Sequence, residues 1–225
     1  MTQQTKPLNR RVAVKRILRD RQQDVLAVTS LGNPTFDVAA AGDTPQNFYL
    51  WGAMGGAVTF GLGVALAQPA KRVIVFVGDG EMMMGLGSLA TVGVDRPANL
   101  SIVVIDNEHY AETGMQLAHA GRGVDITAIA LAAGFEKATT IRAENELEEY
   151  VDVILKATGP VLATVKVGTD PEPTALPPGM VRIYAAVSAK RYWAPRPTQV
   201  SRLALEILCK SVLKGASILR SRPLF

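Results

Sequence analysis

Two uninterrupted apolar runs set the terms of this fold: "RVIVFVG" at residues 72–78 and "LSIVVID" at 100–106. Neither alternates polar with apolar residues, so neither can be a strand with one wet face. Continuous Val/Ile-rich runs of this length fit strands buried on both sides, as in a parallel sheet covered by helices. Parallel neighbours need a crossover, and residues 82–94 supply a segment long enough to be its helix. The remaining chain repeats the alternation. Strands are expected at 24–30, 47–52, 137–141 and 159–167, and helices at 8–21, in the C-terminal part of 53–68, at 126–134 and at 143–158. Val12, Val14, Ile17 and Leu18 make the first helix amphipathic, and Gly134 suits the end of the third. The expected fold is therefore α/β, a doubly wound, mostly parallel sheet flanked by helices. Residues 1–179 would form that domain, with the proline-rich 169–179 as an extended exit.

Charge divides the chain at the same place. Residues 180–225 hold nine Lys/Arg against one Glu, whereas residues 1–179 hold 15 basic against 19 acidic side chains. The last segment is a basic tail, and residues 198–219 could form an amphipathic helix. A basic tail can meet nucleic acid or an acidic partner. No nucleic-acid motif accompanies it, so it is read as a solvated or partner-docking extension. No run reaches the roughly 18 apolar residues of a membrane span. The N-terminal stretch is basic without the apolar centre of a secretory signal. The single cysteine, Cys209, allows no internal disulfide or cysteine-ligated cluster. The expected compartment is the cytoplasm.

In a doubly wound sheet, ligands sit beyond the carboxyl ends of the strands. There the first run ends in Gly78-Asp79-Gly80 and the second in Asp106-Asn107. Glycines let a backbone turn sharply and come close to a ligand. A carboxylate at such a turn can hold a hard cation, and the N–H groups of the next helix can receive phosphate oxygens. Asn107 follows Asp79 by 28 positions. If the crossover joins neighbouring strands, the carboxylate and the amide oxygen come together, as an oxygen-ligated Mg²⁺ requires.

The stretch "GDGEMMMGLGSLATVGVDRPANLSIVVIDNEHY" resembles the thiamine-diphosphate motif, in which GDG is followed after about 25–30 residues by paired asparagines. Asp106 stands where the first Asn is usual; Asn107 is retained. Upstream, "NFYLWGAMGGAVTFGLGVALA" is similar to the diphosphate-binding domain of small two-subunit 2-oxoacid decarboxylases. Downstream, "YAETGMQ" resembles the Tyr-x-x-Thr-Gly-x-Gln loop of sulfopyruvate and phosphonopyruvate decarboxylases. The resemblance spans roughly residues 24–167.

It implies thiamine diphosphate and Mg²⁺ as cofactors. The metal would be held by Asp79, Asn107 and the backbone carbonyl of His109. The cofactor would meet Gly52, Ala53, Met54, Gly78, Asp79, Gly80, Glu81, Asn107, His109, Tyr110 and Ala111, with Met54 wedged beneath it and Gly52 facing its aminopyrimidine. Glu81 occupies a position where the family often has a small residue, so its carboxylate is expected to point outward while its N–H serves the diphosphate. His109 is a candidate acid–base group; His119 and Arg122 could hold an acidic substrate or only face solvent. Met82, Met83 and Met84 are read as core, Trp51 and Phe48 as packing. The activating glutamate of this chemistry lies on a separate pyrimidine-binding domain, for which the chain has no room. The resemblance therefore implies a hetero-oligomer with a pyrimidine-domain (α) subunit, acting on a small anionic 2-oxoacid. Alternatives are an acetolactate-synthase-like carboligase subunit and a catalytically silent structural subunit. An oxoacid:ferredoxin oxidoreductase is disfavoured by the single cysteine, and a dinucleotide site by the absence of a G-x-G-x-x-G turn.

Overall fold

The two apolar runs lie side by side at the centre of the sheet in the computed structural model, which describes residues 7–177. The strands are β1 (Val25–Thr29), β2 (Asn47–Tyr49), β3 (Arg72–Gly78), β4 (Leu100–Asp106), β5 (His109–Tyr110), β6 (Gln116–Leu117), β7 (Lys137–Ile141) and β8 (Val161–Lys166). Six of them form one all-parallel sheet in the order β2-β1-β3-β4-β8-β7, and β5 and β6 make a small antiparallel hairpin. Every residue of β4 is buried, and every residue of β3 except Gly78.

Among the described residues seven helices cover the sheet: α1 (Arg10–Arg19), α2 (Asn33–Ala40), α3 (Ala57–Ala67), α4 (Asp79–Met84), α5 (Gly87–Asp95), α6 (Ile126–Ala132) and α7 (Glu144–Lys156). α1 packs on α2 and α7, while α5 packs on α3 and α6, which makes two helical layers. The doubly wound α/β expectation holds. In α7, Leu147, Val151, Ile154 and Leu155 recur at helical spacing and are buried. α3 lies close enough on β3 that a β-carbon at Gly61 would stand 2.2 Å from Val75 Cγ2.

From β1 the chain runs outward to the edge strand β2, then returns past β1 to β3 and on to β4. The winding direction thus reverses between β1 and β3, which is where such sheets bind ligands. The loops leaving β1, β3 and β4 converge there.

Two sequence expectations need correction. The crossover between β3 and β4 is not one helix over 82–94. It breaks into α4 and α5 at Gly85, because the backbone of Gly55 lies against that position: a β-carbon on Gly85 would stand 2.1 Å from Gly55 O. The segment after β1, where the sequence pattern marks no element, is the helix α2; it starts behind Gly32 at φ +70° and carries a proline in its first turn. The basic tail, residues 180–225 with the expected helix at 198–219, lies outside the described residues.

Candidate cofactor and metal site

The site begins where β3 becomes α4. Gly78 is extended and Asp79 opens the helix with only 2% of its surface exposed. One carboxylate oxygen of Asp79, Oδ2, is buried with no hydrogen-bond partner. Burial pushes Asp79 up to about 7, the charge of Asp106 adds to this, and the N–H groups of Asp79 and Gly80 with Lys166 oppose it. A buried, unpartnered carboxylate is costly unless something positive meets it. Asp79 thus fits the role of a cation ligand. Among the described residues no three His, Cys, Asp or Glu side chains cluster as a metal site. Any cation here must draw its other ligands from amide and carbonyl oxygens, the donors a hard ion accepts.

β4 supplies them on the adjoining strand end. Asn107 Oδ1 accepts the N–H of His109 at 3.1 Å, and Asp106 Oδ1 accepts the N–H of Glu108 at 3.0 Å. These two side-chain closures fold residues 106–109 into a tight turn, with Glu108 in the left-handed region at φ +64°. Asp106, where the resemblance expects Asn, is balanced by Lys166 of β8, whose Nζ lies 2.7 Å from Asp106 Oδ2 and 2.7 Å from Glu108 Oε1. The His109 ring Nδ1 is 2.8 Å from the Asn107 carbonyl. A carbonyl only accepts, so Nδ1 carries the proton and Nε2 is the ring atom left to exchange one.

The hairpin β5–β6 then folds over the turn. Tyr110 lies so close to Gly80 that a β-carbon there would stand 2.5 Å from its ring. The Tyr110 hydroxyl is 2.8 Å from His119 Nδ1, which accounts for His119 as a support for Tyr110. The third wall is the loop after β2. Trp51, Ala53 and Gly55 all have positive φ (55°, 52° and 88°), and the Ser30 hydroxyl donates to the Gly52 carbonyl at 3.2 Å. Two of these, Trp51 and Ala53, are not glycines, so the loop is strained and held by its surroundings.

One cleft, with about 120 Å³ of free volume, gathers Met54, Gly78, Asp79, Gly80, Glu81, Asn107, His109, Tyr110 and Ala111. Nine of the eleven candidate residues therefore meet at one place. Gly52 and Ala53 belong to the loop carrying Met54 but do not line that cleft, and neither do His119 and Arg122. Met54 is 45% exposed, which leaves its side chain free to support a ligand.

Three readings of single residues are corrected. Glu81 does not point outward: it is 5% exposed, with the Ser30 hydroxyl and the N–H groups of Gly55 and Ala57 at its carboxylate. Burial pushes it up to about 7, those groups opposing. Of the three methionines only Met82 is core; Met84, at the last turn of the short α4, is 57% exposed and lines the cleft. Phe48 packs as expected, stacked on Phe60 at 4.6 Å, but Trp51 is 37% exposed at the loop.

The cleft also includes residues not anticipated from sequence. Arg10 of α1 reaches it, paired with the fully buried Asp37 of α2, and Gly32, Asn33 and Pro34 form the turn into α2. The Gly-Asn-Pro sequence was the available signal, since it marks a turn and a helix start.

Comparison with known proteins agrees with this fold. The family model "Thiamine pyrophosphate enzyme, C-terminal TPP binding domain" matches residues 31–165. The sulfopyruvate decarboxylase subunit beta of Methanothermobacter thermautotrophicus is 40% identical over 145 residues, covering 64% of this chain and 75% of that one. The phosphonopyruvate decarboxylase of Streptomyces viridochromogenes is 38% identical over 150 residues, covering 67% of this chain and 37% of that protein. The chain thus spans little more than a third of that relative. Among solved structures, the thiamine diphosphate-dependent 4-hydroxybenzoylformate decarboxylase of Rhodococcus jostii RHA1 shares the fold, with a TM-score of 0.62 at 18% identity, covering 73% of this chain and 33% of that one. The benzoylformate decarboxylase of Polynucleobacter necessarius does so at 0.61 and 19%, covering 74% and 34%.

Proposed function

The chain belongs to the thiamine pyrophosphate enzymes, residues 31–165 being their C-terminal TPP binding domain, and from that premise we propose that it is the diphosphate-binding subunit of a thiamine-diphosphate-dependent 2-oxoacid decarboxylase. Its substrate is a small anionic 2-oxoacid of the sulfopyruvate or phosphonopyruvate kind, and it works with a pyrimidine-domain partner in a cytoplasmic hetero-oligomer. The observation that carries the reading is the buried, unpartnered Oδ2 of Asp79 in the same cleft as Asn107. The names of the relatives support the choice of reaction, and the designation subunit beta supports a partner chain.

When bound, the cofactor supplies the electron sink for loss of CO₂ from a 2-oxoacid. This chain's residues bind and orient. Asp79, Asn107 and the His109 carbonyl would hold Mg²⁺ against the diphosphate, with Asp79 supplying the one negative charge. The Gly78–Glu81 turn and Tyr110-Ala111 would enclose the diphosphate. The strained loop would place Met54 beneath the cofactor and the Gly52 carbonyl toward its aminopyrimidine. On this reading His109 Nε2 would be the atom of this chain that moves a proton during the reaction.

Reconstitution tests this. The purified chain mixed with a candidate pyrimidine-domain chain should release CO₂ from sulfopyruvate or phosphonopyruvate. Full activity from the isolated chain would refute the need for a partner. A reconstituted pair that binds cofactor yet releases no CO₂ from any small 2-oxoacid would refute the reaction.

A further inference from the structure

We propose that Lys166, at the end of β8, is a positioning residue that clasps the 106–109 turn and so fixes how Asn107 and the His109 carbonyl are presented. The role builds on the proposed cofactor reading, but its geometry stands apart from it. The parallel register pairs Asp106 of β4 with Lys166 of β8. From there the ammonium reaches two carboxylates of one turn, Asp106 Oδ2 and Glu108 Oε1, each at 2.7 Å. The other oxygen of Asp106 holds the Glu108 N–H, and Asn107 Oδ1 holds the His109 N–H. Glu108 sits between these closures with φ +64°, a conformation a non-glycine residue keeps only when its surroundings impose it. Lys166 thus grips the first and third residues of the turn from the β8 side, leaving the second and fourth toward the cleft. Asp106 is 2% exposed. Without Lys166 it would be a buried carboxylate lacking its counter-charge, the arrangement that costs most. The Asp at position 106, in place of the Asn usual in the motif, is what makes the lysine necessary.

This logic makes the requirement conditional on Asp106. The test compares the full-length wild type with Lys166→Met, Asp106→Asn and the double variant. Two readouts are taken: amide hydrogen exchange of residues 107–110 in the chain alone, and thiamine diphosphate titration in the presence of Mg²⁺. Lys166→Met should speed exchange in the turn and weaken cofactor binding, each about tenfold or more. Asp106→Asn/Lys166→Met should return both to within about twofold of Asp106→Asn alone. Unchanged exchange and affinity in Lys166→Met would overturn the proposal, as would a double variant no better than Lys166→Met. If Lys166→Met is insoluble, a soluble double variant supports the clasp and an insoluble one counts against it. If even the wild type takes up no cofactor, the proposed function fails, and the exchange results alone then judge the clasp by the same two criteria.

Discussion

The ring of Tyr110 rests on Gly80, so that a β-carbon there would stand 2.5 Å from Tyr110 Cε1. The second glycine of the Gly-Asp-Gly turn is therefore fixed by a side chain 30 positions away, itself braced by His119. Gly80→Ala should destabilise the chain by about 1–3 kcal/mol through overpacking. Adding Tyr110→Ala to that variant should recover most of the loss, as a denaturant-melt double-mutant cycle would measure. Full stability in Gly80→Ala would contradict the contact.

The pH dependence of the free chain follows from Asp79 and Glu81, both pushed up to about 7. In the unfolded chain such carboxyls lose their protons near pH 4. Between about pH 4 and 7 the folded state then holds more protons than the unfolded state, so these two groups lower stability as pH rises, with no further change above 7. The melting temperature should fall across this window, and Asp79→Asn/Glu81→Gln should flatten the fall. Binding Mg²⁺ to Asp79 requires the carboxylate, so cofactor affinity should rise from pH 5.5 to about 7 and then level off. Calorimetric scans and titrations across that range check both trends.

Gly85 meets the backbone of Gly55, not a side chain that could swing away. Gly85→Ala should cost at least about 2 kcal/mol and displace the loop carrying Met54. A shifted emission of Trp51 is expected alongside the lower melting point. A variant with wild-type stability and an unmoved loop would show that the α4–α5 break has another cause.

The central strands β3 and β4 were legible to the residue because a strand buried on both faces leaves nothing polar to blur its ends. The proposed metal-binding pair could be named from sequence because Asp79 and Asn107 each sit at such an end. What the sequence hid came from contacts between distant segments. Gly85 breaks a helix because of Gly55. Glu81 turns inward because the N–H groups of Gly55 and Ala57 lie at its carboxylate. Asp106 has its partner because the register of β4 and β8 sets Lys166 beside it. None of these partners lies within a helical turn of the residue it governs, so local pattern carries no trace of them. α2 escaped for a different reason: eight residues with a weakly amphipathic pattern look like the end of a loop.

The most direct test of the account is a calorimetric titration of thiamine diphosphate into the reconstituted pair, with and without Mg²⁺, for the wild type and Asp79→Asn. The account predicts saturable binding that depends on the cation in the wild type and is weakened about 100-fold or more by the substitution, with the fold intact. Equal affinity in the two proteins, or binding indifferent to Mg²⁺, would contradict it.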